Sequence, residues 1–405
     1  MTEEKKSMVP KLRFPEFTET WEQRKLEDCA AIIMGQSPKS ENYTNDPKDH
    51  VLVQGNADLK NGQVVPRVWT TEVTKVGKVG DIILSVRAPV GEVGKTAFDV
   101  VLGRGVAAIR GNDFLLQTLQ KFKECKYWGR VSAGSTFDSI TSEILKSTVI
   151  SMPTIEEQIK IGDFLSSVDN LITLHQRKLD VLNKLKKYLL QKMFPENGQL
   201  IPELRFPAFS GAWEQRKLSE IVRMNARIGW QNLRQSEFLD DGDFLLITGT
   251  DFKNGRVNFG TCHYIAKERF DQDPKIQVEE GSILLTKDGT IGKVALVDKL
   301  SKPATLNAGV YNIVPKNRVV ESRFLFQYLS APFLLDYVNK AATGGTIKHL
   351  NQSILVDFPV SFPSVAEQEK IGKFLEGIDH VTTLHQRKLE GLRKLKKSLL
   401  QQMFV

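Results

Sequence analysis

EEQIKIGDFLSSVDNLITLHQRKLDVLNKLKKYLLQKMF (156–194) and AEQEKIGKFLEGIDHVTTLHQRKLEGLRKLKKSLLQQMF (366–404) are one stretch written twice, with 25 identities in 39 aligned positions. In the first, Ile161, Leu165, Val168, Ile172, Leu179, Leu182, Leu189 and Met193 recur at alternating spacings of four and three. That is the seam of a coiled coil rather than the period of a strand. His175 and Lys186 interrupt it. The second copy keeps the seam at Ile371, Leu375, Ile378, Leu389, Leu392, Leu399 and Met403, interrupted at His385 and Lys396. Neither stretch contains proline, and Pro153 or Pro363 stands just before each, as expected of a helix start. At 1.5 Å per residue each helix is roughly 58 Å long. A single apolar stripe of that length needs a partner, and the other copy supplies one. His175 and His385 lie mid-helix, where an antiparallel pair brings them together near the crossing point, and the pair is expected to be antiparallel.

A second repeat precedes each variable region. LRFPEFTETWEQRKL (12–26) returns as LRFPAFSGAWEQRKL (204–218). The order is therefore block, variable region, helix, taken twice, which predicts a pseudo-two-fold internal repeat. The chain divides into residues 1–21 (tail and first block), 22–152 (first globule), 153–194 (first long helix), 195–212 (linker and second block), 213–362 (second globule) and 363–405 (second long helix). The linker PENGQLIPE (195–203) is polar, with proline and glycine.

The globules carry strand signals. LVQGNADLKNGQVV (52–65) and LLITGTDFKNGRVNF (245–259) each set Asn-Gly between alternating apolar runs, the pattern of a β-hairpin. GDIILSV (80–86) and GSILLT (281–286) read as short buried strands leading into GEVGKTA (91–97) and GTIGKVA (289–295). Aromatic helical stretches follow at 113–128 and 320–338, then Gly/Ser/Thr loops at 132–136 and 343–346. The fold class is mixed α/β: two globular domains of one fold, separated by two long helices in an antiparallel coiled coil.

Composition narrows the function. Charged residues make up 26% of the chain and hydrophobic residues 41%, both ordinary for globular protein. No run of eighteen apolar residues occurs, so no membrane span is expected. The first residues, MTEEKKSMVPK, lack the apolar core of a secretory signal. Cys29, Cys125 and Cys262 are odd in number and far apart, which fits a reducing cytoplasm. The histidines show no metal-ligand spacing. A net charge of +8 permits a polyanionic partner without requiring one.

Catalytic motifs are weak. GEVGKT (91–96) resembles the end of a phosphate-binding loop, but Pro89 stands where that loop needs glycine, and an ordinary strand turn reads better. No two prolines are adjacent, so the (N/D)-P-P-(Y/F) motif of adenine methyltransferases is missing. Asp251-Phe252-Lys253 reads as a hairpin edge. Glu156 and Glu157 read as first-turn acids that complement the helix dipole. The LKK triplets at 185–187 and 395–397 read either as phosphate contacts or as a solvated flank.

A DNA reader needs loops of Arg, Lys, Asn, Gln, Ser and Thr, which match phosphate oxygens and base edges. Candidates in the first globule are Gln36, Ser37, Lys39, Arg87, Arg104, Ser135 and Thr136. In the second they are Arg227, Trp230, Gln231, Arg234, Lys287, Asp288, Asn307, Thr346, Lys348 and His349. Each alone is compatible with an ordinary surface residue, and Trp230 with a core anchor. Clustered in matching loops they gain weight.

The paired LRFPxF…WEQRKL blocks, the Gly/Ser/Thr loop with P-x-x-x-E-Q leading into each helix, and the LLQ-x-MF helix ends resemble the specificity subunit of Type I restriction–modification systems over about residues 12–405. The resemblance implies two target recognition domains that each read half of a bipartite double-stranded DNA sequence, and a coiled coil that fixes the unread spacer. It implies no catalysis by this chain. It further implies docking of two modification subunits, which bind S-adenosylmethionine, and, in the holoenzyme, two restriction subunits that use ATP and Mg. Two other classes stay open on the residues alone: a single-chain DNA-modifying enzyme, and an adaptor whose globules bind proteins.

Overall fold

The computed structural model describes residues 8–131, 139–196, 198–227, 233–316, 319–341 and 349–405. The two repeated stretches are single helices, Ile155–Lys192 and Val365–Gln402. The chain divides by contacts into two units. One holds residues 1–177 with 386–405, the other residues 178–385, so each cut falls inside an LHQRKL motif. Each unit thus contains one LRFP block, one globule, the start of its own long helix and the end of the other.

In the first unit the two helix segments run antiparallel. Lys396 pairs with Asp169, and Arg393 Nη2 donates to Gln176 Oε1 at 3.2 Å. The second unit holds the reciprocal pair, Lys186 on Asp379. The seam is buried as its spacing requires: Ile161, Leu165, Val168, Ile172, Leu179 and Leu189, and on the other helix Ile371, Leu375, Ile378, Leu389 and Leu399. Leu182, Leu392, His175 and His385 are half-buried. The two seam lysines differ from the expectation for the LKK triplets. Lys396 and Lys186 are side-chain 13% and 18% exposed. Each sits in a polar knot rather than on a solvated flank. Gln117 Nε2 donates to Asp169 at 2.8 Å and Gln327 Nε2 to Asp379 at 2.9 Å, so one aspartate joins both helices to the globule.

The helix starts show why P-x-x-x-E-Q recurs. Gln158 and Gln368 reach back to the carbonyls of Pro153 and Pro363, each at 2.9 Å. Glu157 is fully buried and takes two 2.7 Å bonds from Arg13 of the LRFP block. Glu367 takes two 2.8 Å bonds from Arg205. Complementing the dipole is therefore a minor part of what Glu157 does. It clamps the block to the helix. The aromatic residues complete the joint. Trp21 packs on Phe114 and Phe404 at 5.5 and 6.1 Å, as Trp213 packs on Phe324 and Phe194 at 5.8 and 6.3 Å. The Met-Phe ending of one helix thus plugs the globule that begins the other, which explains why both helices end alike.

Each globule is built on a six-stranded mixed sheet with a second sheet behind it. The first runs Ala31–Met34, Val106–Arg110, Ile82–Ser85, Val93–Lys95, Gln63–Val64, Leu59–Lys60, and its companion centres on His50–Val53 beside Val100–Leu102. The second globule repeats the order with Val222–Ala226, Val310–Pro315, Ile283–Thr286, Val294–Leu296, Arg256–Val257, Phe252–Lys253. The central strands are apolar on both faces, as a strand buried on two sides must be. Ile82 and Leu84 face the helix Asp113–Glu124, while Ile83 faces the companion sheet. Ile283 and Leu285 against Leu284 repeat the alternation.

The Asn-Gly turns form where expected, with φ of 52° and 74° at Asn61-Gly62 and 52° and 73° at Asn254-Gly255. These positive values are those of a type I′ turn. The ribbons are shorter than the alternation suggests, two residues on each side. The buried carboxylate of Asp58 captures the Gln54 N–H, and that of Asp251 the Thr248 N–H, both at 2.8 Å. The chain turns there, and the preceding strand joins the companion sheet, parallel to Val100–Leu102 or Ala304–Leu306. GEVGKT is a strand turn: Val93–Lys95 pairs with Ile82–Ser85, and Lys95 is bound to Asp113 at 2.6 Å.

Candidate nucleic-acid interface

In the first globule an open groove of about 670 Å³ lies where three loops meet. Ser37, Arg87 and Arg104 line it together with Tyr43, Gln54 and Asn56. The backbone beneath is pinned. Val86 donates to Gly105 O and Ile140 to Val86 O, both at 2.8 Å, and Arg87 bridges Ser139. Gly103 donates to Val53 O at 2.8 Å and Arg104 N to Ser37 Oγ at 3.1 Å. A Cβ at Gly105 would stand 2.1 Å from the Gln54 carbonyl, so only glycine lets the two loops close. Gln36 and Lys39 flank this groove on its first loop. Gln36 N donates to Leu102 O at 2.8 Å. Lys39 N donates to Glu72 at 2.8 Å, which, ahead of the Asn42 amide, holds that carboxyl below its usual range.

Arg87 and Arg104 are exposed, and among the described residues neither guanidinium has an ion pair or hydrogen bond. Most other arginines here are engaged: Arg13, Arg24, Arg67, Arg110, Arg205, Arg216, Arg256 and Arg323 all pair with carboxylates. Two guanidinium groups with every donor available therefore face one polar groove.

The same framework stands in the second globule. Lys287 N donates to Gly309 O, Leu350 to Lys287 O and Asn307 to Ile247 O, each at 2.9 Å, and Asp288 bridges His349. These contacts gather Lys287, Asp288, Asn307 and His349. His349 Nδ1 lies against an Asp288 carboxylate oxygen, and Lys287 Nζ sits 5.6 Å from the centre of the Tyr311 ring. Tyr311 supports the loop by donating to Leu350 O at 2.8 Å. Burial first, then the Asp288 charge, pushes its hydroxyl up to about 12.

Matching hydrogen bonds align the loops position by position. Gln54 corresponds to Thr248, Val86 to Lys287, Arg87 to Asp288, Gly103 to Asn307, Arg104 to Ala308 and Ser139 to His349. No pair is identical, although the backbone bonds are. Gln54 and Thr248 are absent from the sequence-derived candidates. The available signal is their shared place, one residue before the glycine that follows the companion-sheet strand.

Two second-globule candidates stand apart. Arg227 is 1% exposed, with Nε donating to Leu306 O at 2.9 Å. It braces the loop from beneath instead of presenting a guanidinium to solvent, and burial, then the Arg269 charge, lowers its pKa. Arg234 is exposed beside the turn Gln235–Glu237, where its N–H bonds Glu237 at 2.7 Å. Ser135, Thr136, Trp230, Gln231, Thr346 and Lys348 lie outside the described residues. Among the described residues no three His, Cys, Asp or Glu side chains are placed to hold a metal, and no helix is long and apolar enough to cross a membrane.

Comparison with known proteins agrees with this doubled architecture. The family model for the Type I restriction modification DNA specificity domain matches twice, over residues 18–184 and 211–394. The chain is similar to the Type I restriction enzyme MjaVIII specificity subunit of Methanocaldococcus jannaschii, 24% identical over 275 residues. That match covers 66% of this chain and 64%, under two thirds, of the relative. The MjaIX specificity subunit of the same organism is 22% identical, over 94% of this chain and 91% of that one. In fold it resembles the crystal structure of a Type I restriction-modification system S subunit from M. genitalium, with a TM-score of 0.71 at 17% identity, covering 98% of this chain and 99% of that chain. The chain belongs to the family of the Type I restriction modification DNA specificity domain and carries that domain twice.

Proposed function

We propose that this chain is the non-catalytic DNA-reading subunit of a Type I restriction–modification complex, working in the cytoplasm. Each globule reads one half of a bipartite duplex target, and the helices hold the readers at a fixed spacing. The observation that carries this is the pair of matched loops: one backbone framework, with its glycines kept at Gly55/Gly249 and Gly105/Gly309, presents different side chains at Gln54/Thr248, Arg87/Asp288 and Arg104/Ala308. An adaptor joining two identical partners gains nothing from that divergence, whereas a reader of two different half-sites requires it. Joining two weak readers by a stiff spacer turns the second binding event into an intramolecular one, which raises affinity without new contacts.

The helices also offer a docking face for two modification subunits. Besides the buried seam, the helix segments of the first unit carry Phe164, Leu171, Leu174 and Leu395, each at least 40% exposed. Those of the second unit carry Val181, Leu185, Tyr188, Phe374, Val381 and Leu384, exposed to the same degree. A second apolar stripe left in water marks a surface built for a partner. S-adenosylmethionine, ATP and Mg belong, on this reading, to the modification and restriction subunits.

The test is a genome-wide adenine methylation map of cells making this chain with its modification subunit, against cells lacking only this chain. A bipartite motif with a fixed unread spacer, present only with the chain, is expected. An assembled, active complex whose methylation does not depend on the chain contradicts the reader role.

A further inference from the structure

We infer that the first domain reads guanine, through Arg87 and Arg104. The inference rests on the DNA-reading role proposed above and assigns the chemistry of one half-site. A guanidinium offers a planar fork of donors that matches O6 and N7 of guanine in the major groove, and no other base edge presents two acceptors side by side there. The alternative use of an exposed arginine is a phosphate contact, which carries no sequence information.

Three observations favour the base edge. First, both side chains line a concave groove shared with the Gln54 amide, itself suited to base edges. Second, their backbones are fixed: Arg104 lies between two glycines whose added Cβ atoms would meet Val53 O at 3.0 Å and Gln54 O at 2.1 Å. Arg87 lies between the Val86 bonds and the Ser139 bridge. Base reading needs that placement, whereas a phosphate contact tolerates a looser one. Third, the comparison with the second domain discriminates. Every duplex has the same backbone, so a phosphate grip would serve both readers equally. The aligned positions in the second domain are Asp288 and Ala308. A carboxylate repels phosphate and a methyl group cannot hold it. These two positions therefore vary as specificity determinants vary, not as a common grip.

The experiment compares the full chain with Arg87→Lys and Arg104→Lys, each assembled with the modification subunit. Lysine keeps the charge and loses the fork. Methylation mapping gives the motif, and binding is measured on duplexes carrying guanine or 7-deazaguanine, which lacks the N7 acceptor. The wild-type motif is expected to contain guanine in one half-site. At least one lysine variant should relax selectivity at that guanine by about 5- to 100-fold, leaving the other half-site and thermal unfolding unchanged. 7-Deazaguanine there should weaken the wild type and leave that variant unmoved. The inference is overturned if both variants keep the wild-type motif and affinity, for charge alone would then suffice, or if the half-site they alter lacks guanine. A complex with no chain-dependent motif at all would remove the DNA-reading role itself, a result distinct from either of these.

Discussion

Replacing Arg13 by alanine tests the clamp between an LRFP block and its helix. Arg13 Nε and Nη2 each reach a Glu157 oxygen at 2.7 Å, with the two side chains 10% and 0% exposed. Removing the guanidinium leaves a carboxylate with no counter-charge in a site closed to water. Breaking such a buried pair costs about 3–5 kcal/mol. Glu157 stands in the first helical turn, where the helix dipole returns roughly 0.3–1 kcal/mol. The expected net loss is therefore about 2–5 kcal/mol, read as a lowered urea midpoint by tryptophan fluorescence, to which Trp21 of the same joint reports. Removing both charges, as Arg13→Met with Glu157→Met, should return most of that loss, because burying a pair is itself costly. A single substitution that costs under about 1 kcal/mol, the range of an exposed pair, would refute the clamp. So would a double substitution as damaging as the single one.

Burial, ahead of the opposing pull of Asp379 and Asp169, holds Lys186 and Lys396 below the 10.5 of a free lysine. Unfolded chains keep these protons up to about pH 10.5 while the folded protein releases them earlier. Through that window the contribution of both lysines to stability should rise with pH, and below it the full cost of a buried charge is present. Lys396→Met with Asp169→Asn, which preserves the acceptor for Gln117, should therefore change stability by under about 1 kcal/mol and flatten the alkaline rise in paired thermal melts. A loss several times larger would make the pair a net stabiliser. Thiol labelling followed by mass spectrometry should proceed in the order Cys125, Cys29, Cys262. Cys125 is exposed, while Cys262 is buried and pushed up to about 12, by burial first and then by Asp251. Thiolate is the reactive form, so Cys262 labelling as fast as Cys125 at pH 8 would contradict the packing of the second domain.

The long helices were legible because one rule, the 4-3 spacing, governs every seam position. The Asn-Gly turns were legible because two consecutive positive φ values admit few residues. Strand ends were less so. Nothing local says that Asp58 will capture the Gln54 N–H and turn the chain out of its ribbon, since that depends on a carboxylate buried by distant strands. The same limit applies to Glu157, whose partner lies 144 residues away. In the groove, residue type drew attention to Arg87 and Arg104 but misjudged Arg227. A guanidinium reads as surface until the Leu306 carbonyl that buries it is in place.

On the proposed reading, the matched loops let one fold serve two targets. Their contacts run between backbone groups: Val86 or Lys287 to glycine, Ile140 or Leu350 back again, Gly103 or Asn307 to the companion sheet. Backbone bonds are nearly indifferent to the side chain above them. At the bridge, Arg87 in one domain and Asp288 in the other reverse the charge without altering the pairing. Arg87 and Arg104 are exposed and Asp288 and Ala308 half-buried, so these positions vary at small cost to stability, as substitutions outside the core generally do, whereas Val86, Ile140 and Leu350 stay apolar in the cores. The buried joints behave in the opposite way. Arg13–Glu157 and Arg205–Glu367, or the two tryptophan–phenylalanine clusters, cannot change one member without stranding a charge or opening a cavity. Variation is therefore channelled to the groove and identity to the joint. The separation of the repeated from the divergent residues along this chain is the record of that partition.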